Sequence, residues 1–291
     1  MGSAMLKRVV RASLRRLKTW LEDEPEDARA EYDETGFIYP YLNSLFASIA
    51  KDGLRQSYVW GVLQGVNLAR ALGIKRVSVV EFGVAGGNGQ VALERIAERV
   101  EKVFAVDIDI YGFDSGTGLP APRDHRDVPN LASAGLYTMD RRKLEERLRR
   151  ARLILGPIED TMGAFLKSAP APIAFVACDL VLYTSTVHAL RLLDGEHSIL
   201  LPRIHCYCDD VLGFTFGDHN GERLAIAEFN ATHEMRKISP IYGLRYYMPA
   251  QFANEMWVEK FWLAHIFDHP LYGQRDNLVR RHNLELQLER D

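Results

Sequence analysis

Cysteine is scarce: there are three in 291 residues, Cys178, Cys206 and Cys208, and no C-x-x-C pair. An odd, scattered set cannot form the disulfide framework of a small secreted fold, so the expected compartment is a reducing cytoplasm. Long apolar runs are missing too, and no stretch approaches the roughly 20 residues that span a bilayer. The N-terminus is basic but lacks a continuous apolar core, so nothing there reads as a secretion signal. Excess positive charge is also absent: 36 Lys and Arg stand against 39 Asp and Glu, a net charge of -3. That balance gives no global field for nucleic acid. Internal repeats and low-complexity linkers are absent. What remains is 47% hydrophobic and 26% charged, a balance that buries a sizeable core.

Residues 1–40 stand apart. Leu6, Val9, Val10, Leu14, Leu17 and Leu21 recur at helical spacing, with Lys7, Arg8, Arg11, Arg15, Arg16 and Lys18 between them. An acidic run from Glu22 to Glu34 follows. A basic amphipathic helix of this kind lies either on an anionic membrane surface or against its own domain or a second subunit. Only Trp20 adds aromatic weight, which favours docking on protein over membrane. From residue 41 to 291 the pattern predicts one domain.

Within it, residues 41–72 read as helical, with Gly73 as the stop. RVSVVEF (76–82) reads as a buried strand and Val91–Val103 as an amphipathic helix. Strands are expected at Ile108–Phe113, Leu153–Leu155, Ile173–Cys178 and Ser198–His205. Helices are expected at Arg141–Arg150, Met162–Leu166 and Ser185–Leu193. Strands alternating with helices imply right-handed crossovers and a parallel sheet. The runs Ile238–Tyr247 and Lys260–Phe267 are expected to close that sheet as antiparallel strands. Residues 116–137, rich in Gly, Pro, Asp and His, form one long loop, and a loop of that length in a compact domain is often functional. Its charged run Asp124-His125-Arg126-Asp127 suits either a polar substrate or a solvated turn.

The chemistry concentrates at strand ends. VVEFGVAGGNGQV (79–91) ends a strand in Glu81 and then places four glycines within seven residues. In an open parallel sheet ligands bind beyond the carboxyl ends of the strands, and glycine lets a ligand approach the backbone. A dinucleotide wants G-x-G-x-x-G and a pyrophosphate on the helix N-terminus. Here the glycines are Gly83, Gly87 and Gly89, and Glu81 would repel a pyrophosphate. An acid there suits a cationic amine on a ligand without phosphate, such as S-adenosylmethionine. Asp114 ends the next strand, where an acid can accept from ribose hydroxyls or simply begin a turn. Asp179 ends the fourth strand, and Asp209 and Asp210 follow the fifth. Three carboxylates on one sheet edge repel one another unless a cation joins them, and oxygen ligands suit Mg²⁺ or Ca²⁺. As alternatives, Asp179 caps a helix and the paired acids are turn residues.

The E-x-G-x-x-x-G-x-G string resembles the first motif of class I S-adenosylmethionine-dependent methyltransferases. IDIYGFDSGTGLP (108–120), LILGPIEDTMGAFL (153–166), AFVACDLVLYTST (174–186) and HCYCDDVLGF (205–214) are similar to segments of the macrocin O-methyltransferase (TylF-like) family, which methylates sugar hydroxyls. The likeness covers roughly residues 75–214. It implies a Rossmann-like, mostly parallel seven-stranded sheet flanked by helices, with the N-terminal helices forming a homo-oligomer. It implies a metal-assisted O-methyltransferase that acts on a small-molecule or glycan acceptor. S-adenosylmethionine would meet Glu81, Gly83, Gly87, Gly89, Asp114, Ser115 and Ile158. Mg²⁺, or another divalent cation, would meet Asp179, Asp209 and Asp210. Asp179 would double as the base, with His205 a second catalytic candidate at the strand end. The chain departs from the family at three places: Gly116-Thr117 stands where it has an aromatic, Pro157 where it has a polar residue and Val181 where it has an acid. Pro157 and Val181 keep open a homologue that binds the cofactor without turnover, and a nicotinamide-dependent oxidoreductase stays the more distant alternative.

Overall fold

The computed structural model describes residues 40–51 and 53–273. The basic N-terminal helix, with the boundary expected at residue 40, and the polar stretch Asn277–Asp291 lie outside the described residues.

Two helices lead in, α1 (Pro40–Ala50) and α2 (Gln56–Ala71). Gly73 adopts φ +77° and its N–H bonds to Arg70 O, stopping α2 where the sequence predicts. Gly61 and Gly65 let α2 lie close against the sheet: a Cβ on either would strike Phe175 or Ala174 within 2.4 Å. The sheet then runs β1 (Arg76–Phe82), β2 (Asp107–Asp114), β3 (Arg152–Leu155), β4 (Ile173–Cys178), β5 (Leu200–Cys208), β6 (Arg236–Pro240) and β7 (Phe261–Ile266). Between the strands lie α3 (Asn88–Phe104), α4 (Arg141–Arg147), α5 (Ile158–Lys167), α6 (Tyr183–Leu190) and α7 (Gly221–Thr232).

Seven strands form one sheet in the order β3-β2-β1-β4-β5-β7-β6. The first five pair parallel, and β7 is antiparallel to both of its neighbours. This is the mostly parallel, Rossmann-like architecture expected from the sequence. All of β4 and all but the first residue of β1 are buried, as continuous apolar strands covered on both faces must be. The strand order reverses between β1 and β4, and at such a switch point the loops leaving the strand ends splay apart and open a crevice.

Some boundaries differ from the sequence pattern, each for a local reason. Helix α4 ends at Arg147, three residues early. There the buried Glu94 of α3 accepts the N–H groups of Arg149, Arg150 and Ala151 at 2.7–2.9 Å and pulls the chain into β3. Helix α5 starts at Ile158, one turn before the expected Met162, with Pro157 as its N-cap. Strand β5 runs to Cys208, three residues beyond the expected His205, because its pairing with β4 continues to Cys178. The run to Tyr247 is not all strand: β6 stops at Pro240, and Gly243 at φ +74° leads into a 3-10 turn, Leu244–Tyr247.

Candidate functional site

The carboxyl ends of β1, β2, β4 and β5 open into a cleft of about 590 Å³. Register decides which side chains meet there. Phe82 pairs with Phe113 and with Cys178, and Cys178 pairs with Cys208. The next residues, Gly83, Asp114, Asp179 and Asp209, therefore emerge side by side. Gly83 is required at this crossing: at φ +87° its Cβ would lie 1.9 Å from Asp179 O. Gly89 solves a second crowding problem, since a Cβ there would lie 1.7 Å from Glu81 Oε1. Gly87 ends the loop as the left-handed N-cap of α3.

Glu81 is only 1% exposed, yet it borders the cleft floor. Tyr58 OH donates to its Oε1 at 2.6 Å and Gln90 Nε2 to its Oε2 at 2.8 Å. Burial disfavours the charged form and pushes its pKa to about 7, against those hydrogen bonds and the nearby Arg55. Asp114 accepts from Ala85 N at 2.8 Å and Gly116 N at 2.7 Å, so it ties the glycine loop to the next turn. Each carboxylate oxygen can accept a second bond. Ser115 lines the cleft with its hydroxyl donated to Gly118 O, and Ile158 packs at the adjoining wall.

Beyond Gly83 lies the acidic cluster. One oxygen each from Asp179, Asp209 and Asp210 falls within 4.8 Å of the other two. Burial, reinforced by Asp209, pushes Asp179 up to about 6. Burial, reinforced by Asp179 and Asp209, pushes Asp210 up to about 7. Asp209 goes the other way. Burial opposes its charge, but Tyr207 OH at 2.5 Å and Lys260 Nζ at 2.9 Å hold it below the usual range. Asp210 accepts from Val181 N at 2.9 Å. Val181 sits at φ +60°, a rare place for a β-branched residue but one that Asn and Asp tolerate. The position where the resembling family carries an acid thus has the backbone an acid accepts, and Val181 lines the same cleft.

His205 does not join this group, which corrects its place among the catalytic candidates. It lies three residues inside β5, packs edge-on to Trp60 at 5.4 Å, and is absent from the cleft wall. Burial, with Arg203 and His265 nearby, pushes its pKa down to about 3. The three cysteines are buried free thiols behind the site. The long loop does reach the cleft. Buried Asp127 takes hydrogen bonds from Arg123 N and from both Thr184 N and Oγ1, pinning the loop to the start of α6. Asp124 and Arg126 pair with each other, and Arg126 stacks on Tyr183. His188 also lines the cleft, with Nε2 2.9 Å from Glu159.

Four residues to which the sequence assigned no role complete the site. Glu222 of α7 is fully buried, accepts Asp210 N at 3.1 Å, and is held well above the ordinary carboxylate range by burial and by Asp210. Lys260 and Tyr207 hold Asp209, and Arg55 stands between Glu81 and the cluster. Among the described residues no helix is long and apolar enough to cross a membrane.

No known family profile matches the chain, and no curated protein does. Among solved structures it is similar to CalS11, a calicheamicin methyltransferase, at 18% identity and TM-score 0.47, over 80% of this chain and 88% of that one. It is similar to an O-methyltransferase from Bacillus cereus in complex with SAH at 14% identity and TM-score 0.40, over 86% and 99%. It is also similar to TomG, an O-methyltransferase from Streptomyces achromogenes involved in tomaymycin synthesis, at 15% identity and TM-score 0.39, over 79% and 91%. Likenesses of this strength carry nothing on substrate or mechanism, which rest on the cleft itself.

Proposed function

We propose that this chain is an O-methyltransferase that moves a methyl group from S-adenosylmethionine to a hydroxyl of a sugar or related polyol, with a divalent cation at Asp179, Asp209 and Asp210. The observation that carries the reading is the charge of the cleft. Seven carboxylates line it against two arginines. Such a lining repels a pyrophosphate and attracts a sulfonium, an ammonium and a metal ion. It counts against the nicotinamide alternative for the same reason.

The roles follow from placement. Gly83, Gly87 and Gly89 let the ligand approach the backbone. Glu81 faces an ammonium, Asp114 the ribose hydroxyls, and Ile158 one face of the adenine. S-adenosylmethionine supplies an electrophilic methyl on a sulfonium. A divalent cation, when bound, offsets the three carboxylates and acidifies a neighbouring hydroxyl. Asp179, at the end of β4 beside the cation site, is placed to take that hydroxyl's proton. In calorimetric titration S-adenosylmethionine is expected to bind and NAD⁺ is not. Asp114→Ala is expected to weaken S-adenosylmethionine at least ~10-fold by losing both the ribose acceptor and the Ala85 tether. Equal binding of NAD⁺, or undiminished binding in the variant, refutes this reading.

Lys260 favours a second version of the mechanism, in which its ammonium supplies the counter-charge and no ion is needed. Activity that survives EDTA would select it. Val181→Asp tests the metal version from the other side. It places a fourth carboxylate at a backbone conformation that suits it, so Mg²⁺ affinity rises about 10-fold or more. No gain in isothermal titration would mean that position 181 does not reach the ion.

A further inference from the structure

We propose that Arg55 and Glu81 form a clamp for the zwitterionic head of an α-amino acid, here the methionine end of S-adenosylmethionine, with Arg55 taking the carboxylate and Glu81 the ammonium. The assignment rests on the cofactor reading above. It adds a residue outside every motif, in the turn before α2.

The geometry is that of opposite charges held side by side without being spent on each other. Arg55 Nη1 stands 3.9 Å from Glu81 Oε1, beyond hydrogen-bond length. The oxygens of Glu81 are held by Tyr58 and Gln90 instead. Arg55 donates one hydrogen bond, to Tyr58 OH at 2.9 Å, and its guanidinium lies 5.0 Å over the Tyr58 ring. Those two contacts fix the head while the side chain stays 44% exposed on the cleft wall. A guanidinium has five donors in a rigid fork that matches a carboxylate bidentately. Among the described residues only Tyr58 accepts one of them. An α-amino acid carries its ammonium and carboxylate on one carbon, so it needs an acid and a base this close together. An internal ion pair that merely neutralised Glu81 would close to hydrogen-bond distance, and this pair does not.

Two ligands isolate the clamp. S-adenosylhomocysteine carries the amino-acid head, and 5′-methylthioadenosine keeps the adenosine and thioether but lacks it. Both are titrated calorimetrically into the native protein, Arg55→Met and Arg55→Lys, with circular dichroism to check folding. Arg55→Met is expected to weaken S-adenosylhomocysteine about 10- to 100-fold and to leave 5′-methylthioadenosine unchanged. Arg55→Lys keeps the charge and loses the fork, so a smaller but selective loss is expected. If Arg55→Met does not fold, Arg55→Lys carries the comparison. An equal loss for both ligands, or none for S-adenosylhomocysteine, overturns the clamp while leaving the cofactor reading intact. If the native protein binds neither ligand, the cofactor reading itself falls and the clamp falls with it.

Discussion

The unliganded protein is expected to be more stable near pH 5 than at pH 7.5, and millimolar Mg²⁺ is expected to remove most of that difference. The cause is the buried acid in the cleft. Glu81 moves from 4.5 to about 7, Asp179 from 3.8 to about 6, and Asp210 from 3.8 to about 7. Each raised carboxyl keeps its proton in the folded state at a pH where the unfolded chain has lost it. The stability it contributes is complete below the unfolded value and drains away as pH rises through the folded one. The window therefore runs from about pH 4 to pH 7. Asp179 alone accounts for up to about 3 kcal/mol. Its neighbours titrate with it, so the cluster loses several kcal/mol jointly, not the sum of three separate shifts. Asp209 is lowered and has the opposite sign, but its loss falls below pH 3.8, outside this window. For a domain of this size a few kcal/mol moves Tm by about 5–10 °C. A divalent cation binds the deprotonated cluster, so it should raise Tm at pH 7.5 and leave it unchanged at pH 5. Differential scanning calorimetry at the two pH values, with and without millimolar Mg²⁺, decides both parts. A Tm that climbs from pH 5 to 7.5 without metal would show that these acids are not gathered and desolvated. A Tm at pH 7.5 that ignores Mg²⁺ would remove the ion and leave Lys260 as the counter-charge.

What the sequence could announce was whatever lies within a few residues of a strand end. RVSVVEF and Ile173–Cys178 are legible because they are continuous, apolar and bounded by turn residues, the signature of a strand buried on both faces. Gly83, Asp114, Asp179 and Asp209 are legible because a parallel sheet delivers consecutive strand ends to one edge, and β1–β4–β5 register then aligns them. His205 was misplaced for a related reason. Its strand continues three residues further, and local pattern cannot show how far β4 will draw β5. The same limit explains α4, which Glu94 terminates from 55 residues away. It also explains the residues that no motif signalled. Lys260 meets Asp209 across 51 residues and Glu222 meets Asp210 across 12, and both are ordinary residues in their own neighbourhoods. Arg55 is the N-cap of α2 without a side-chain capping bond, so only the nearness of its guanidinium to Glu81 gives that side chain meaning.

Gly83→Ala is expected to destabilise the fold by about 3 kcal/mol or more, whereas Gly86→Ala, three residues on, should change it by no more than about 0.5 kcal/mol. Two costs add at Gly83. The residue sits at φ +87°, where a side chain costs about 1–2 kcal/mol. Its new Cβ would also lie 1.9 Å from Asp179 O and 2.9 Å from Asp179 C. These are backbone atoms and cannot rotate aside, so overpacking adds about 1–3 kcal/mol. Gly83 is also tied on its other side, where its N–H donates to Phe113 O at 2.9 Å. It cannot back away from β4 without breaking its bond to β2. Gly86 has nothing within 4 Å of its would-be Cβ and an ordinary φ. The two substitutions are chemically identical and lie in one loop, so their difference isolates the β1–β4 crossing. Guanidinium denaturation of both variants gives the comparison. The Gly83 variant carries a second consequence. Relief can come only by moving the Asp179 carbonyl, and the carboxylate of Asp179 moves with it. Any fraction that folds should therefore bind Mg²⁺ and S-adenosylmethionine less tightly, while Gly86→Ala binds both as the native protein does. A Gly83→Ala protein within 1 kcal/mol of native stability (about the αL penalty alone) would mean that the strands part more easily here. The acids would then not be held as closely as the stability-against-pH argument requires.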